Sequence, residues 1–273
     1  MKVFNNTHLN YHEDPIRFWD FEKFQETSND VELYIGCQPS DHIKEPNGKK
    51  KIFFSTEEQN STTDSTDIYL PFVDQIATIC PPSVTGRQKR ISSFFPLNEI
   101  YVPEICHTRD IHNNKKFDTC YTGLAAPSHL QEILGAMTKF NYCFASFHNT
   151  TGKATHLNVS YKDKLKLISE SKCCVVHNLV NDDNPQLKSR TFEAAFCKSL
   201  ILCKKDKFNI IEEWFEPNID FLYWKEQDDL ALLIELVNND YNFYKGFVEN
   251  AYKKAMNNYT TKHWIEKYIG VKQ

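Results

Sequence analysis

The second half of the chain alternates between short apolar runs and segments that carry one apolar face. In PSHLQEILGAMTKF the apolar residues recur at the spacing of a single helical face: Leu130, Ile133, Leu134 and Met137. Strand-like runs flank this segment, FDTCYT before it and NYCFASF after it. The alternation continues through SYKDKLKLISE, CCVVHN, SRTFEAAFCKS and LILC. Strands that alternate with short helices predict parallel βαβ units.

The chain after LILC predicts a strand in IDFLYW and mostly helix elsewhere. Asp228 is placed to cap a helix with an apolar stripe, and the helical segments YNFYKGFVENAYKKAMNN and TTKHWIEKYI follow it. Earlier, Ser160 and Asp163 form a capping-box-like pair before KLKLISE. The C-terminal part is therefore expected to end in helices.

The first half shows a weaker form of the same pattern. MKVFN, VELYIGC, KKIFFST and IATIC predict strands, and Asp14 and Pro15 predict the start of a helix over PIRFWDFEKFQE. Residues 83–104 look like the approach to a domain boundary, and DIHNNKK at 110–116 looks like the linker. These features predict an α/β fold of two Rossmann-like domains that face a cleft, one at 1–113 and one at 114–273.

Composition and charge exclude several classes of protein. The 273 residues are 41% hydrophobic and 25% charged, as in a folded globular chain. Residues 1–113 carry 11 basic against 17 acidic side chains, and residues 114–273 carry 21 against 19. No basic stripe indicates a nucleic-acid partner, and no apolar run reaches the ~18 residues of a membrane helix. The first residues lack the apolar core of a signal peptide, so a cytoplasmic protein is expected.

Motif searches argue against cofactors and metals. Only eight glycines are present and neither GxGxxG nor GxxxxGK occurs, which argues against a dinucleotide enzyme or a P-loop ATPase. The nine cysteines lie mostly in apolar runs, where free thiols act as small hydrophobes. No CxxC pair, Cys/His array or Asp-x-Asp motif indicates a metal site. No cofactor is expected to be required.

The segment RTFEAAFCKSLILCKKDKFNIIEEWFEPNIDFLYWKEQDDLALLIELV resembles the nucleotide-sugar-binding part of GT-B-fold glycosyltransferases. It is most similar to the branch with an Arg-x-Phe-Glu helix, an apolar strand, and a helix that ends near Phe-x-Pro. FDTCYTGLAAPSHLQEILGAM is similar to the strand, Thr-Gly turn and helix that open the same domain. The resemblance covers residues 116–270 and implies a GT-B architecture with a short N-terminal domain.

The resemblance implies a donor site on the leading turn of the Arg-x-Phe-Glu helix. Glu193 matches the glutamate that binds the donor's ribose hydroxyls, and Arg190 lies where a guanidinium neutralises the leaving diphosphate. Thr191 lies on the same turn. A plain helix-surface ion pair is the alternative for Arg190 and Glu193. Lys198 stands where relatives commonly have glycine, and it either closes off a backbone approach or brings a cation near the site.

Parallel sheets bind ligands beyond the carboxyl ends of their strands, which adds three candidates to the donor site. Thr122 and Gly123 end one strand and His177 ends another. An ordinary turn and a core histidine are the respective alternatives. In the loop after His177, the NDDN segment is either solvated or a contact to the base.

The implied reaction moves a sugar from a UDP- or GDP-sugar donor to a glycan or other hydroxyl acceptor, without an obligatory metal. The catalytic base is expected from the N-terminal domain: His8 follows the first strand, and Glu57 ends the KKIFFST strand. A nucleotide-sugar epimerase and a non-catalytic sugar-nucleotide or partner-binding module are the alternatives. The sequence leaves the oligomeric state open.

Overall fold

Two parallel sheets form the framework of the protein. The computed structural model describes residues 1–6, 19–21, 23, 30–36, 41–56, 65–123, 127–146, 151–181 and 184–270. The first sheet has the order β1-β2-β3-β4-β5, with all neighbouring strands parallel. Its strands are β1 (Lys2–Asn6), β2 (Val31–Gly36), β3 (Lys50–Ser55), β4 (Gln75–Thr78) and β5 (Arg90–Ser92). The expected α/β architecture is confirmed.

The second sheet has the order β13-β12-β9-β6-β7-β8, again with parallel neighbours. Its strands are β6 (Phe117–Thr122), β7 (Tyr142–Ser146), β8 (His156–Leu157), β9 (Ser171–Val176), β12 (Leu200–Lys204) and β13 (Phe221–Trp224). A small antiparallel pair, β10 (Leu179–Asn181) and β11 (Asn184–Pro185), lies outside both sheets. β6 and β9 are neighbours, so their carboxyl ends lie side by side.

Seven α-helices connect and cover the strands within the described residues. They are α1 (Pro82–Thr85), α2 (Pro127–Met137), α3 (Tyr161–Ser169), α4 (Ser189–Phe196), α5 (Gln227–Asn239), α6 (Tyr241–Asn258) and α7 (Thr261–Tyr268). Short 3-10 helices add Asp41–Lys44, Ser65–Phe72, Glu99–Tyr101, Glu104–His107, Asp110–Asn113 and Ile210–Glu213. The predicted capping pair is confirmed, because Ser160 Oγ accepts from the Asp163 N–H at 3.0 Å.

The two faces of the second sheet pack against different helices. The predicted stripe of α2 is buried together with α5 residues on one face, where Tyr121 and Val175 also lie. The other face carries residues of α3 and α4, together with Cys120 and Val176. This alternation follows from the two-residue period of a strand. It determines which side chains meet at the carboxyl edge of the sheet.

One expectation about local structure was wrong, and two segments contain strands that their sequence patterns did not indicate. Residues 83–104, which are expected to approach a domain boundary, contain β5, a short strand whose Ile91 is exposed and gives little apolar signal. Asp228 is not the cap of its helix, since α5 begins at Gln227 and Asp228 lies in its first turn. The loop after His177 contains the β10–β11 pair. Short exposed strands and helix ends carry the weakest sequence patterns.

The C-terminal helix α7 packs against the first sheet, not the second. Trp264 Nε1 donates to Ser93 Oγ at 2.9 Å, and the Tyr268 hydroxyl donates to the Ser92 carbonyl at 2.6 Å. One apolar core extends through both halves, and it includes Phe94 and Phe192, whose ring centroids are 6.1 Å apart. The chain from the second half thus completes the core of the first.

The carboxyl edge of the first sheet meets the segment that leads into α4. The Leu187 N–H donates to the Ile79 carbonyl at 3.0 Å, directly after β4. Nearby, Cys80 Sγ donates to the Pro185 carbonyl at 3.0 Å. The start of α4 therefore lies between the two sheets, as the cleft architecture requires.

Candidate donor site

The candidate site lies at the carboxyl edge of the second sheet, where α2 and α4 begin. Thr122 ends β6, His177 follows β9, and Arg190 lies in the first turn of α4. A helix N-terminus presents backbone N–H groups without intrahelical partners and a partial positive charge. Two such termini at one edge favour an anionic ligand.

Arg190 reaches across this edge from one face of the sheet to the other. Its guanidinium carbon lies 4.5 Å from the centroid of the Tyr121 ring, which belongs to the face covered by α2. A Cβ atom placed on Gly123 would lie only 2.9 Å from Arg190 Nη2. The open backbone of Gly123, at a φ of +98°, therefore leaves room for the guanidinium. Two residues that the sequence proposed for the donor site, Arg190 and Gly123, therefore lie next to each other.

Glu193 is buried and has two partners on α3. The Tyr161 hydroxyl donates to Glu193 Oε1 at 2.8 Å, and Lys164 Nζ lies 2.6 Å from Oε2. Burial and the nearby carboxylate together raise the pKa of the Tyr161 hydroxyl. A carboxylate offers about four lone-pair positions, so these two partners leave acceptor capacity for further hydroxyls. Partners on a second helix also fix the orientation of the carboxylate.

Thr191 has a structural contact. Its hydroxyl donates to Asn178 Oδ1 at 3.2 Å, and the Lys188 N–H donates to the same oxygen at 3.0 Å. Thr191 is completely buried. The Asn178 amide thus ties the end of β9 to the start of α4, and Thr191 is part of that tie.

Thr122 and His177 each bring an unpartnered polar atom to the same edge. Thr122 Oγ1 and His177 Nε2 are buried and have no hydrogen-bond partner. Such atoms are uncommon in folded proteins because leaving a buried polar group unsatisfied costs about 1–3 kcal/mol. Both atoms belong to residues that the strand-end rule selected, and both residues lie at the carboxyl edge of the second sheet.

His177 lies against a second histidine that the sequence patterns did not single out. Its ring centroid is 4.1 Å from that of His129, in the first turn of α2. Burial, the neighbouring His129 and the charges of Arg190 and Lys204 lower the pKa of His177 to about 3. His177 is therefore neutral at physiological pH.

Lys204 completes the charged surroundings at the end of β12. Its ammonium lies 2.5 Å from Glu132 Oε1 on α2 and 4.5 Å from the centroid of the Trp224 ring. No motif identified this lysine, because its partners come from two elements far apart in sequence. The sequence signal that could have identified Lys204 is an apolar strand that ends in Lys-Lys, because parallel sheets bind ligands beyond the carboxyl ends of their strands.

Lys198 does not supply a cation to the site. It lies beyond the last residue of α4, at the end opposite Arg190, and its Nζ is 2.8 Å from Glu249 Oε1. The ammonium also lies 4.5 Å from the centroid of the Tyr252 ring. Its φ of +49° is the left-handed conformation that glycine adopts without strain. This explains structurally why a glycine would suit the position.

His8, Glu57 and the acidic pair of the NDDN segment lie outside the described residues, so their predicted roles remain predictions. Among the residues that the structure describes, no group of three His, Cys, Asp or Glu side chains is arranged to hold a metal ion. The eight cysteines in this part of the chain are buried free thiols. No helix in the described ranges is both long and apolar enough to cross a bilayer.

The family model described as glycosyl transferase-like matches residues 130–270, just over half of the 273-residue chain. The chain therefore belongs to the glycosyl transferase-like family. The match includes α4 with Arg190 and Glu193, and it includes His177. No curated protein matches the chain by sequence.

Solved glycosyltransferase structures share the fold. HepE from Anabaena, solved with UDP-glucose, has a TM-score of 0.64 at 9% identity, over 98% of this chain and 97% of its own. TarM from S. aureus, solved with UDP among other ligands, has a TM-score of 0.60 at 14% identity, over 93% of this chain. The chain spans 57% of the length of TarM. These similarities confirm the predicted GT-B architecture.

Proposed function

We propose that the protein transfers a sugar from a nucleotide-diphosphate donor to a hydroxyl acceptor. One observation carries the proposal: the Arg190 guanidinium lies over the carboxyl edge against Gly123, one helical turn from the buried carboxylate of Glu193. A cation and a hydroxyl-accepting anion on one leading turn match the two ends of a nucleoside diphosphate, its phosphates and its ribose. The family assignment supports the same reaction class.

The site residues suggest how the donor is activated. Negative charge grows on the diphosphate as the sugar leaves, and it is greatest in the transition state. Arg190 and the N-termini of α2 and α4 would stabilise that charge without reorganisation. Glu193, held by Tyr161 and Lys164, would accept hydrogen bonds from the ribose hydroxyls. His8 or Glu57 would remove the proton of the acceptor hydroxyl.

The proposal extends to the donor nucleotide, the metal requirement and the acceptor. The donor is a UDP-sugar in preference to a GDP-sugar, which rests on the UDP-containing structures of the similar folds. Transfer needs no metal ion, because Arg190 and the helix termini would neutralise the diphosphate. A glycan or another hydroxyl compound is the acceptor.

A donor panel tests the proposal. The full-length protein is incubated with UDP-, GDP- and dTDP-sugars, and release of nucleoside diphosphate is followed with water or added glycans as acceptor. We expect release from one donor class, and a large loss of rate in Arg190→Ala. Arg109→Ala is the control, because Arg109 is an exposed arginine next to the predicted linker at 110–116 and is not one of the candidate site residues. A sugar changed without release of nucleotide would indicate an epimerase, and binding without either reaction would indicate a binding module.

A further inference from the structure

The contact between His129 and His177 is a feature of the site that the proposed reaction has not used. The centroids of the two rings lie 4.1 Å apart with a tilt of 38°. One ring follows a strand end and the other lies in the first turn of the 11-residue helix α2. The imidazoles thus form a pair at the carboxyl edge, beside the helix N-terminus.

His177 keeps one ring nitrogen available. His177 is 2% exposed, and its Nε2 is buried without a hydrogen-bond partner. The other nitrogen, Nδ1, lies 3.3 Å from the Leu179 N–H and 3.2 Å from the Leu179 carbonyl oxygen. These two contacts require opposite tautomers. When Nδ1 accepts from the Leu179 N–H, the proton resides on Nε2, which then lacks an acceptor.

The surrounding charges select an anion as that acceptor. Arg190 and Lys204 both act electrostatically on His177. Two acids on the neighbouring helices already have partners, since Glu132 pairs with Lys204 and Glu193 pairs with Lys164. An anionic oxygen at Nε2 would favour the tautomer that carries the proton there. It would also face the positive end of α2.

We propose that His177 and His129 bind the donor's diphosphate as a pair, with His177 Nε2–H donating a hydrogen bond to a phosphate oxygen. This inference rests on the proposed function, since it assumes a nucleoside diphosphate at the carboxyl edge. His129 contributes a second imidazole to the anion, and its ring against His177 fixes the position of the first. The pair adds two imidazole contacts to the charge supplied by Arg190.

Two substitutions at His177 distinguish the contributions of its two ring nitrogens. In His177→Asn the side-chain oxygen can replace Nδ1 as the acceptor of the Leu179 N–H, but nothing replaces Nε2. In His177→Gln the longer amide can place a donor near the Nε2 position. His129→Phe keeps an aromatic ring against His177 and removes both ring nitrogens. His42→Gln is the control, because His42 is an exposed histidine of the first half that pairs with Glu45.

Calorimetric titration of the full-length protein with UDP and with uridine gives the test. We expect His177→Asn and His129→Phe each to weaken UDP binding about tenfold, as for the loss of one hydrogen bond to a charged group. Uridine, which has no phosphate, should bind these variants as it binds the wild type. His177→Gln and the control should stay within about threefold of wild type for both ligands.

The results separate the inference from the function on which it rests. Wild-type affinity for UDP in His177→Asn or in His129→Phe would overturn the inference, and so would an equal loss of UDP and uridine binding. Thermal melts identify any variant that does not fold, and we expect the half-buried His129 to tolerate substitution even if His177 does not. If the wild-type protein binds neither UDP nor GDP, the proposed function itself fails.

Discussion

Replacing Gly123 with alanine should separate backbone strain from an effect on Arg190. The substitution adds one methyl group at a φ of +98°, where a Cβ would lie 2.9 Å from Arg190 Nη2. Two effects follow from this geometry. Alanine is strained at positive φ, and the guanidinium must move by several tenths of an ångström to relieve the contact.

The two effects have different magnitudes and different measurements. Strain of a non-glycine residue in the left-handed region costs about 1–2 kcal/mol. For a chain of this size that corresponds to a decrease in Tm of roughly 2–8 °C. The guanidinium is the end of a flexible side chain, so its displacement adds little to the loss of stability. A guanidinium moved away from the phosphate position should weaken donor binding by about 1 kcal/mol, or fivefold.

Gly86→Ala provides the matched control. Gly86 also has a positive φ, +66°, but no atom lies within 4 Å of the position that a Cβ would occupy there. We expect both variants to lower Tm in thermal melts, and only Gly123→Ala to weaken binding of UDP in calorimetry. Equal UDP affinity in the two variants would refute the argument that Gly123 makes room for Arg190.

Three further predictions address the chemistry of the site. Glu193→Gln keeps an oxygen for the Tyr161 hydroxyl but loses the charge that binds ribose hydroxyls, so donor affinity in calorimetry should fall by about 1–3 kcal/mol; unchanged affinity would argue for a purely structural carboxylate. EDTA should leave the transfer rate largely unchanged, and a rate abolished by EDTA and restored by manganese would reject metal independence. The pKa of His177 is lowered to about 3, below its ordinary 6.5, so the unfolded state takes up the proton first and stability falls as pH decreases below about 6.5. Between pH 6.5 and 5, the free energy of unfolding measured by chemical denaturation should fall by about 2 kcal/mol more in the wild type than in His177→Gln. Equal decreases in the two proteins would contradict the lowered pKa of His177.

The sequence predicted the parts of the fold that rest on local periodicity. The four-residue stripe of α2 is buried, and Ser160 caps α3 as the capping pattern indicated. Both features depend on residues within one or two helical turns. β5 was missed because it has only three residues and exposes Ile91, which leaves no period to detect. The packing of α7 on the first sheet was also unpredictable, since it joins Trp264 to Ser93 across the whole chain.

The residues of the candidate site also differ in how far the sequence alone could identify them. The sequence proposed Arg190, Glu193 and Thr122 for the site because a sequence segment or a strand end marks each of them. His129 and Lys204 were missed because their significance comes from neighbours on other elements, His177 in one case and Glu132 in the other. A histidine inside a helical stretch gives no indication of the ring that it will contact. Parallel strands bring such residues together only once the order of the strands is known.

The structure also explains why a segment that looks like core carries charged residues at its start. Residues 190–197 are all buried, so α4 is part of the core along its length. Its two ends nevertheless face different surroundings. The first turn points Arg190 over the sheet edge toward Tyr121, while the far end is fixed by the ion pair between Lys198 and Glu249. Buried charged groups are costly unless they are paired or bind a ligand. The pairing of Lys198 with Glu249 therefore anchors the far end of the helix. At the opposite end the Arg190 guanidinium lies over Tyr121 at the carboxyl edge, where we propose that the donor's diphosphate binds.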